Sequence, residues 1–154
     1  MNDGMSTALQ TLLYGYESSG VDDDGARLLF MNAEYSENLP KALDCQSYFK
    51  PYVDDLSARG YDVCAEIIQS DYDHALYLLP KNMLEARYGL ARVISSVKRD
   101  GMVFCAADNK AGGSRLKKLF EEFGIDIQGH ESRNKARVVW GRVEDFETDV
   151  AAKE

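Results

Sequence analysis

Apolar positions along this chain change period repeatedly, from three-and-four spacing to alternation and back. Leu9, Leu12, Leu13 and Tyr16 share one helical side, which predicts an amphipathic helix within residues 1–17. "VDDDG" reads as a turn and "ARLLFMNA" (26–33) as an apolar strand. "SENLPKALD" (36–44) reads as a short turn or helix. The stretch "CQSYFKPYVDDLSARG" (45–60) reads as a helix with Tyr48, Phe49, Tyr52, Val53 and Leu56 on one side, Pro51 near its start and Gly60 as its stop. "YDVCAEII" (61–68) alternates as a strand does, and "HALYLLP" (74–80) is a buried strand ended by Pro80. A long helix follows over 81–101, with Leu84, Tyr88, Ala91, Ile94 and Val97 as its apolar stripe and Gly101 as its end. "MVFCAA" is the next strand, "SRLKKLFEEFG" (114–124) the next helix, and "GIDIQGHES" and "ARVVWGRV" are two closing strands joined by a polar turn.

Strands alternating with helices predict an α/β domain, a mostly parallel sheet covered on both faces. No helix separates the last two strands, so they are expected to pair antiparallel at an edge. Periodicity alone also admits a flavodoxin-like sheet. The order of repeats ending in a terminal antiparallel hairpin resembles the Rossmann-like layout of class I methyltransferases.

Composition narrows the chemistry. The chain has 154 residues and a formal charge of −8, enough length for one domain with its own core. The charge is uneven: residues 1–80 hold 4 basic and 14 acidic side chains, residues 81–143 hold 13 and 7. An acidic chain is a poor generic nucleic-acid binder, but a basic second half can present one positive face. Solvated helix faces produce the same split. Cys45, Cys64 and Cys105 form no C-x-x-C pair; Cys64 and Cys105 sit in apolar runs, so buried free thiols and a cytoplasmic chain are expected. No charged-then-apolar leader opens the chain, and no run of 18 apolar residues occurs in it, so neither secretion nor membrane spanning is expected. His74 and His130 lack metal-ligand spacing to Cys or carboxylates; "DYDH" (71–74) and "DDD" (22–24) read as solvated turns, so no metal site is expected. The thiols have no paired base. Trp140 alternates with valines and reads as a packed ring. "AGGS" (111–114) has neither dinucleotide nor phosphate-loop spacing; it reads as a strand-to-helix turn with Ser114 as a cap.

Three stretches, "LYLLPKNMLEARYGL" (76–90), "VFCAADNKAGGSRLKKLFEEFG" (103–124) and "NKARVVWGRV" (134–143), together resemble the N-terminal domain of the ribosomal small-subunit methyltransferase C family. Those enzymes methylate the exocyclic amine of a guanine in 16S ribosomal RNA with S-adenosylmethionine. The resemblance covers about residues 8–146 and implies two methyltransferase-like domains in tandem, of which only the second carries the cofactor. A working copy needs a glycine-rich turn after its first strand and Asn/Asp-Pro-Pro-aromatic after its fourth. Here "RLLFMNA" runs into "EYSENLP" without glycine, and the fourth strand ends Leu79-Pro80-Lys81-Asn82. The resemblance therefore implies a degenerate copy with no catalytic and no cofactor-binding residue. S-adenosylmethionine is expected only in the full-length parent.

Residues 1–146 are thus expected to form the non-catalytic domain, and 147–154 an acidic tail or the start of a linker. Expected partners are the catalytic domain of the same protein and 16S rRNA or the small subunit; neither membrane nor metal is expected. Lys110, Arg115, Lys118, Arg133, Lys135 and Arg137 are the candidate RNA contacts, gathered by the loops at one end of the sheet, with Lys117 and Arg142 near them in sequence. Pairing of Lys117 and Lys118 with Glu121 and Glu122 is the competing use of those lysines. Tyr14, Tyr16, Tyr35, Tyr48, Phe49 and Tyr52 exceed what one small core needs and suggest an apolar docking surface. Two other readings stay open: an autonomous small-molecule methyltransferase with unusual motifs, and a docking or dimerisation module without an RNA role.

Overall fold

Seven strands form one sheet with helices on both faces. The computed structural model describes residues 7–67, 70–111, 113–133 and 135–143. In chain order the elements are α1 (Thr7–Ser18), β1 (Leu28–Met31), β2 (Leu43–Gln46), α2 (Lys50–Ala58), β3 (Asp62–Cys64), β4 (Tyr72–Leu78), α3 (Met83–Ser96), β5 (Val97–Asp108), α4 (Leu116–Glu122), β6 (Asp126–Arg133) and β7 (Ala136–Arg142). The sheet order is β3-β2-β1-β4-β5-β7-β6. β1 to β5 pair in parallel, and β7 lies antiparallel to both β5 and β6. A flavodoxin-like sheet would set β3 beside β1; here β4 stands there, which decides between the two layouts.

The central strands are apolar on both faces because helices cover both. Along β4 and β5, Ala75, Tyr77, Val103 and Cys105 face α3 and α4, packing with Leu90, Val93, Leu116 and Phe120. Their neighbours Leu76, Leu78, Phe104 and Ala106 face α1 and Leu56 of α2. Trp140 lies in this second core, its ring stacked 5.9 Å from that of Phe104, as a packed tryptophan should. Tyr16 meets Phe104 edge-on and donates to Asp23.

Several expectations need correction. Residues 43–46 are a strand, not part of a turn or helix. α2 begins only at Lys50, with Pro51 in its first turn, and buries only Leu56. Tyr48, Phe49 and Tyr52, expected on its packed side, are exposed. α3 ends at Ser96 and buries Ala86, Gly89, Leu90, Val93 and Ile94, while Leu84 and Tyr88 of the expected stripe are 79% and 60% exposed. Ser114 does not cap α4: it lies in a 3-10 turn, and the residue before the helix is Arg115, with no side-chain cap. Gly113 is there for space, since a Cβ would meet the Ala107 carbonyl at 2.8 Å. Cys64 is exposed on the edge strand β3, whereas Cys45 and Cys105 are buried. Residues 147–154, read as tail or linker, lie outside the described residues.

Candidate functional site

In a doubly wound sheet, ligands settle at the carboxyl ends of the strands where the order reverses. That point here is the end of β1, between β2 and β4. A cleft of about 350 Å³ opens there, lined by Met31 and Asn32 after β1, Gln46 at the end of β2, Tyr77 of β4, and Leu84 and Tyr88 of α3. Its lining is mostly apolar.

The turn after β1 is closed by two side-chain amides. Asn32 has φ +60°, the left-handed conformation that a glycine would take at no steric cost. Its backbone N–H donates to Gln46 Oε1 at 2.9 Å, and Gln46 Nε2 donates to the Ala65 carbonyl at 2.9 Å. Asn32 Nδ2 donates to the Leu78 carbonyl at 2.7 Å, and the Ala33 N–H donates to the Gln46 carbonyl at 2.8 Å. Gln46 is only 3% exposed. This bracket joins the ends of β1, β2 and β4 to the segment after β3. It also spends the N–H groups of Asn32 and Ala33 inside the protein. After β4, Asn82 is equally committed: its Oδ1 caps α3 by accepting from the Glu85 N–H at 3.1 Å.

The basic residues sit mostly at the same carboxyl end. Asp108 at the end of β5 pairs with Ala136, and Arg133 pairs with Ala136 across the hairpin, so the β6–β7 turn lies beside the segment after β5. The Asn109 N–H donates to the Lys135 carbonyl at 2.8 Å and joins the two loops. Lys110, Arg115, Lys118, Arg133 and Lys135 are exposed and Arg137 is half-buried. Arg133 lies 4.2 Å over the Tyr14 ring, and Arg137 Nε donates to Ser132 at 3.2 Å. Glu122 does not serve Lys118; it binds Arg87 of α3 through two hydrogen bonds of 2.5 and 3.1 Å. Among the described residues, Lys110, Arg115, Lys118 and Lys135 make no ion pair. Arg142 is at the other end of the sheet, opposite Met102.

At that other end the two acidic turns meet. Asp22, Asp24, Asp73, His74, Lys98 and Asp100 line one polar cleft. Asp22, Asp73, His74 and Lys98 have structural work there. His74 Nδ1 accepts from the Met102 N–H, leaving Nε2–H to donate to the Asp22 carbonyl. Asp73 accepts from the Arg27 N–H and from Lys98, and these two contacts, the backbone one first, hold its carboxyl below the usual range. Among the described residues, no three His, Cys, Asp or Glu are grouped to hold a metal ion, and no helix is long and apolar enough to cross a membrane. Burial pushes the Cys45 thiol up to about 12 and the Cys105 thiol upward too, which removes both as nucleophiles near neutral pH.

That the six basic residues named from the sequence gather at one end was legible from chain order, since loops after β5 and between β6 and β7 must share an end. The cleft was not. Tyr88 figured only as a core position, and Gln46 had no role in any motif; the one signal was a glycine-free turn that still needed a left-handed residue.

Residues 10–154 match the family described as Methyltransferase small domain N-terminal. Over 120 residues the chain is 25% identical to the ribosomal RNA small subunit methyltransferase C of Aliivibrio salmonicida, which covers 71% of this chain and 35% of that relative. The chain thus spans about a third of the relative's length. Its backbone superposes on the T. thermophilus 16S rRNA N2 methyltransferase, solved with AdoMet and guanosine, with a TM-score of 0.72 at 14% identity, over 92% of this chain and 40% of that one. The N-methyltransferase NodS of Bradyrhizobium japonicum gives 0.66 at 9% identity, over 94% and 100%. Both are likenesses of fold.

Proposed function

We infer the function from one premise: the chain belongs to the methyltransferase small domain N-terminal family, the N-terminal domains of ribosomal RNA small subunit methyltransferase C. It is a methyltransferase fold that has given up the cofactor. In the whole protein, a catalytic domain outside this chain transfers a methyl group from S-adenosylmethionine to a guanine amine of 16S rRNA, in the cytoplasm. This domain supports that one and helps to hold the RNA. The exposed Phe49–Tyr52 ring pair, 4.7 Å apart, supports an apolar contact with the catalytic domain, and the cationic end of the sheet supports phosphate contacts.

The observation that carries the reading is the Asn32–Gln46 bracket. A cofactor held at the end of β1 needs free backbone N–H groups and a turn without side chains, and both are taken. The residues present do not fit S-adenosylmethionine. Calorimetry with the cofactor at millimolar concentration should give no saturable heat. A dissociation constant in the micromolar range would restore the autonomous methyltransferase reading.

A further inference from the structure

We propose that the cleft at the ends of β1, β2 and β4 receives one unstacked, amine-bearing base of single-stranded RNA, while the cationic edge formed by Lys110, Arg115 and Lys135 holds phosphates of the same strand. This rests on the RNA reading above and names its second contact. Three independent features of the cleft point the same way.

The first is size and wall chemistry. A volume of about 350 Å³ lies in the range of small-ligand pockets. Tyr48 and Tyr88 both line it and are 66% and 60% exposed. Exposed aromatic rings beside a basic groove are how proteins hold single-stranded nucleic acid, through stacking that any base can offer.

The second is the sign of the polar atoms. A backbone carbonyl can only accept, so the Asn32 amide must turn its Nδ2 to Leu78, leaving Oδ1 without a partner among the described residues. Gln46 is fixed by the same logic, its Oε1 on the Asn32 N–H and one Nε2 hydrogen on the Ala65 carbonyl. Tyr48 spends its proton on Glu66 at 2.8 Å, and Pro80 has no N–H. The Glu85 carboxylate, also in the lining, adds acceptors. The cleft therefore offers unused acceptors, Asn32 Oδ1 and the Glu85 carboxylate, beside the second amide hydrogens of Asn32 and Gln46. An exocyclic amine can donate to those acceptors, whereas uracil brings two carbonyls and a single ring N–H.

The third is polarity across the sheet. The cleft carries Glu85, whereas β5 and β7, one and two strands beyond β4 and so about 5 and 10 Å away, end in the cationic loops. A nucleotide has the matching arrangement, a neutral amine-bearing ring at one end and a phosphate at the other. A free anion in the cleft would face Glu85.

The test uses the 154-residue chain and a short single-stranded RNA with one central 2-aminopurine, whose fluorescence falls when it stacks on an aromatic ring. Binding should quench the probe, and replacing it with uridine should weaken affinity. Tyr48→Ala with Tyr88→Ala should abolish the quench and lower affinity about tenfold or more, with the salt slope unchanged because no phosphate contact is removed. Both rings are exposed, so the variant should melt as the parent does; Tyr48→Phe with Tyr88→Phe should keep the quench. Lys110→Glu with Arg115→Glu should do the reverse, reducing affinity and salt slope but keeping the quench at saturation. Salt-dependent RNA binding without a quench, or with a quench indifferent to both tyrosines, overturns the cleft proposal and leaves the RNA reading standing. No binding of the oligonucleotide at low salt overturns both.

Discussion

A Cβ on Gly89 would sit 2.0 Å from the Tyr77 hydroxyl, which is buried and donates to the Ala86 carbonyl at 3.1 Å. Gly89→Ala adds about 1 kcal/mol of helix propensity but overpacks a layer in which one extra methyl typically costs about 1–3 kcal/mol. We expect net destabilisation in urea melts. In a Tyr77→Leu background the same change should become neutral or stabilising, and the double-mutant cycle reads that coupling. Asp73 gives a pH signature. Its carboxyl is held low in the folded state by the Arg27 N–H and then by Lys98. A depressed folded value means that the stabilisation is present above the unfolded value, about 3.9, and is lost as pH falls through the folded one. Asp73→Asn should lower the urea midpoint near neutral pH and flatten its decline below about pH 4. An acid limb identical to the parent's would remove Asp73 from the account. Neither partner was visible in the sequence, because Arg27 and Lys98 are brought to Asp73 by strand pairing and by the looped start of β5.

At the scale of elements, α3 shows what periodicity could and could not decide. Leu84, Tyr88 and Ala91 fall at the same spacing as Ala86, Leu90 and Val93, so the sequence presents two stripes of equal period. The larger residues suggest the first, but the sheet chose the second, because Tyr77 reaches up from β4 and only Ala86 and Gly89 leave room beneath the helix. Leu84→Glu should therefore change stability by less than about 0.5 kcal/mol, while Leu90→Ala should cost about 2–5 kcal/mol, both read from denaturant midpoints. Comparable costs would mean that the helix is rotated. β2 went unread for a different reason. Four residues are too few to set a period, and Leu43–Gln46 follows Pro40 in a stretch that reads as turn. Long elements, buried on both faces or striped on one, were legible in kind; short ones and the choice of face depend on partners that arrive from elsewhere in the chain.

For the whole molecule, parallel pairing was legible from the alternation and the terminal hairpin from the missing last helix, while the strand order, which periodicity left open between two layouts, is decided by β4 standing beside β1. That same order places the cationic loops together. Reversal of charge at Lys110 and Arg115 should flatten the log–log salt dependence of RNA binding by about one unit or more, since each phosphate contact on a single strand contributes roughly 0.7. Arg142→Glu makes an equal change in charge per residue at the opposite end of the sheet and should leave the slope alone. If both variants lose affinity equally, net charge and not a defined edge governs binding. The acidic first half, far from arguing against such an edge, confines attraction to it, because the long-range field of the chain is repulsive to RNA.

The amide bracket at the end of β1 has a consequence for descent as well as for binding. Removing Gln46 alone would take the partner from the half-buried Asn32 N–H and from the Ala65 carbonyl, a loss of about 0.5–1.5 kcal/mol per hydrogen bond with no ligand yet gained. Replacing Asn32 by glycine alone would leave the Gln46 bond to the backbone intact and the turn still shut. Descent toward an open turn thus takes two substitutions, the first of which costs stability before the second frees any backbone N–H, so the bracket works as a ratchet: neither amide can be given up at a gain on its own.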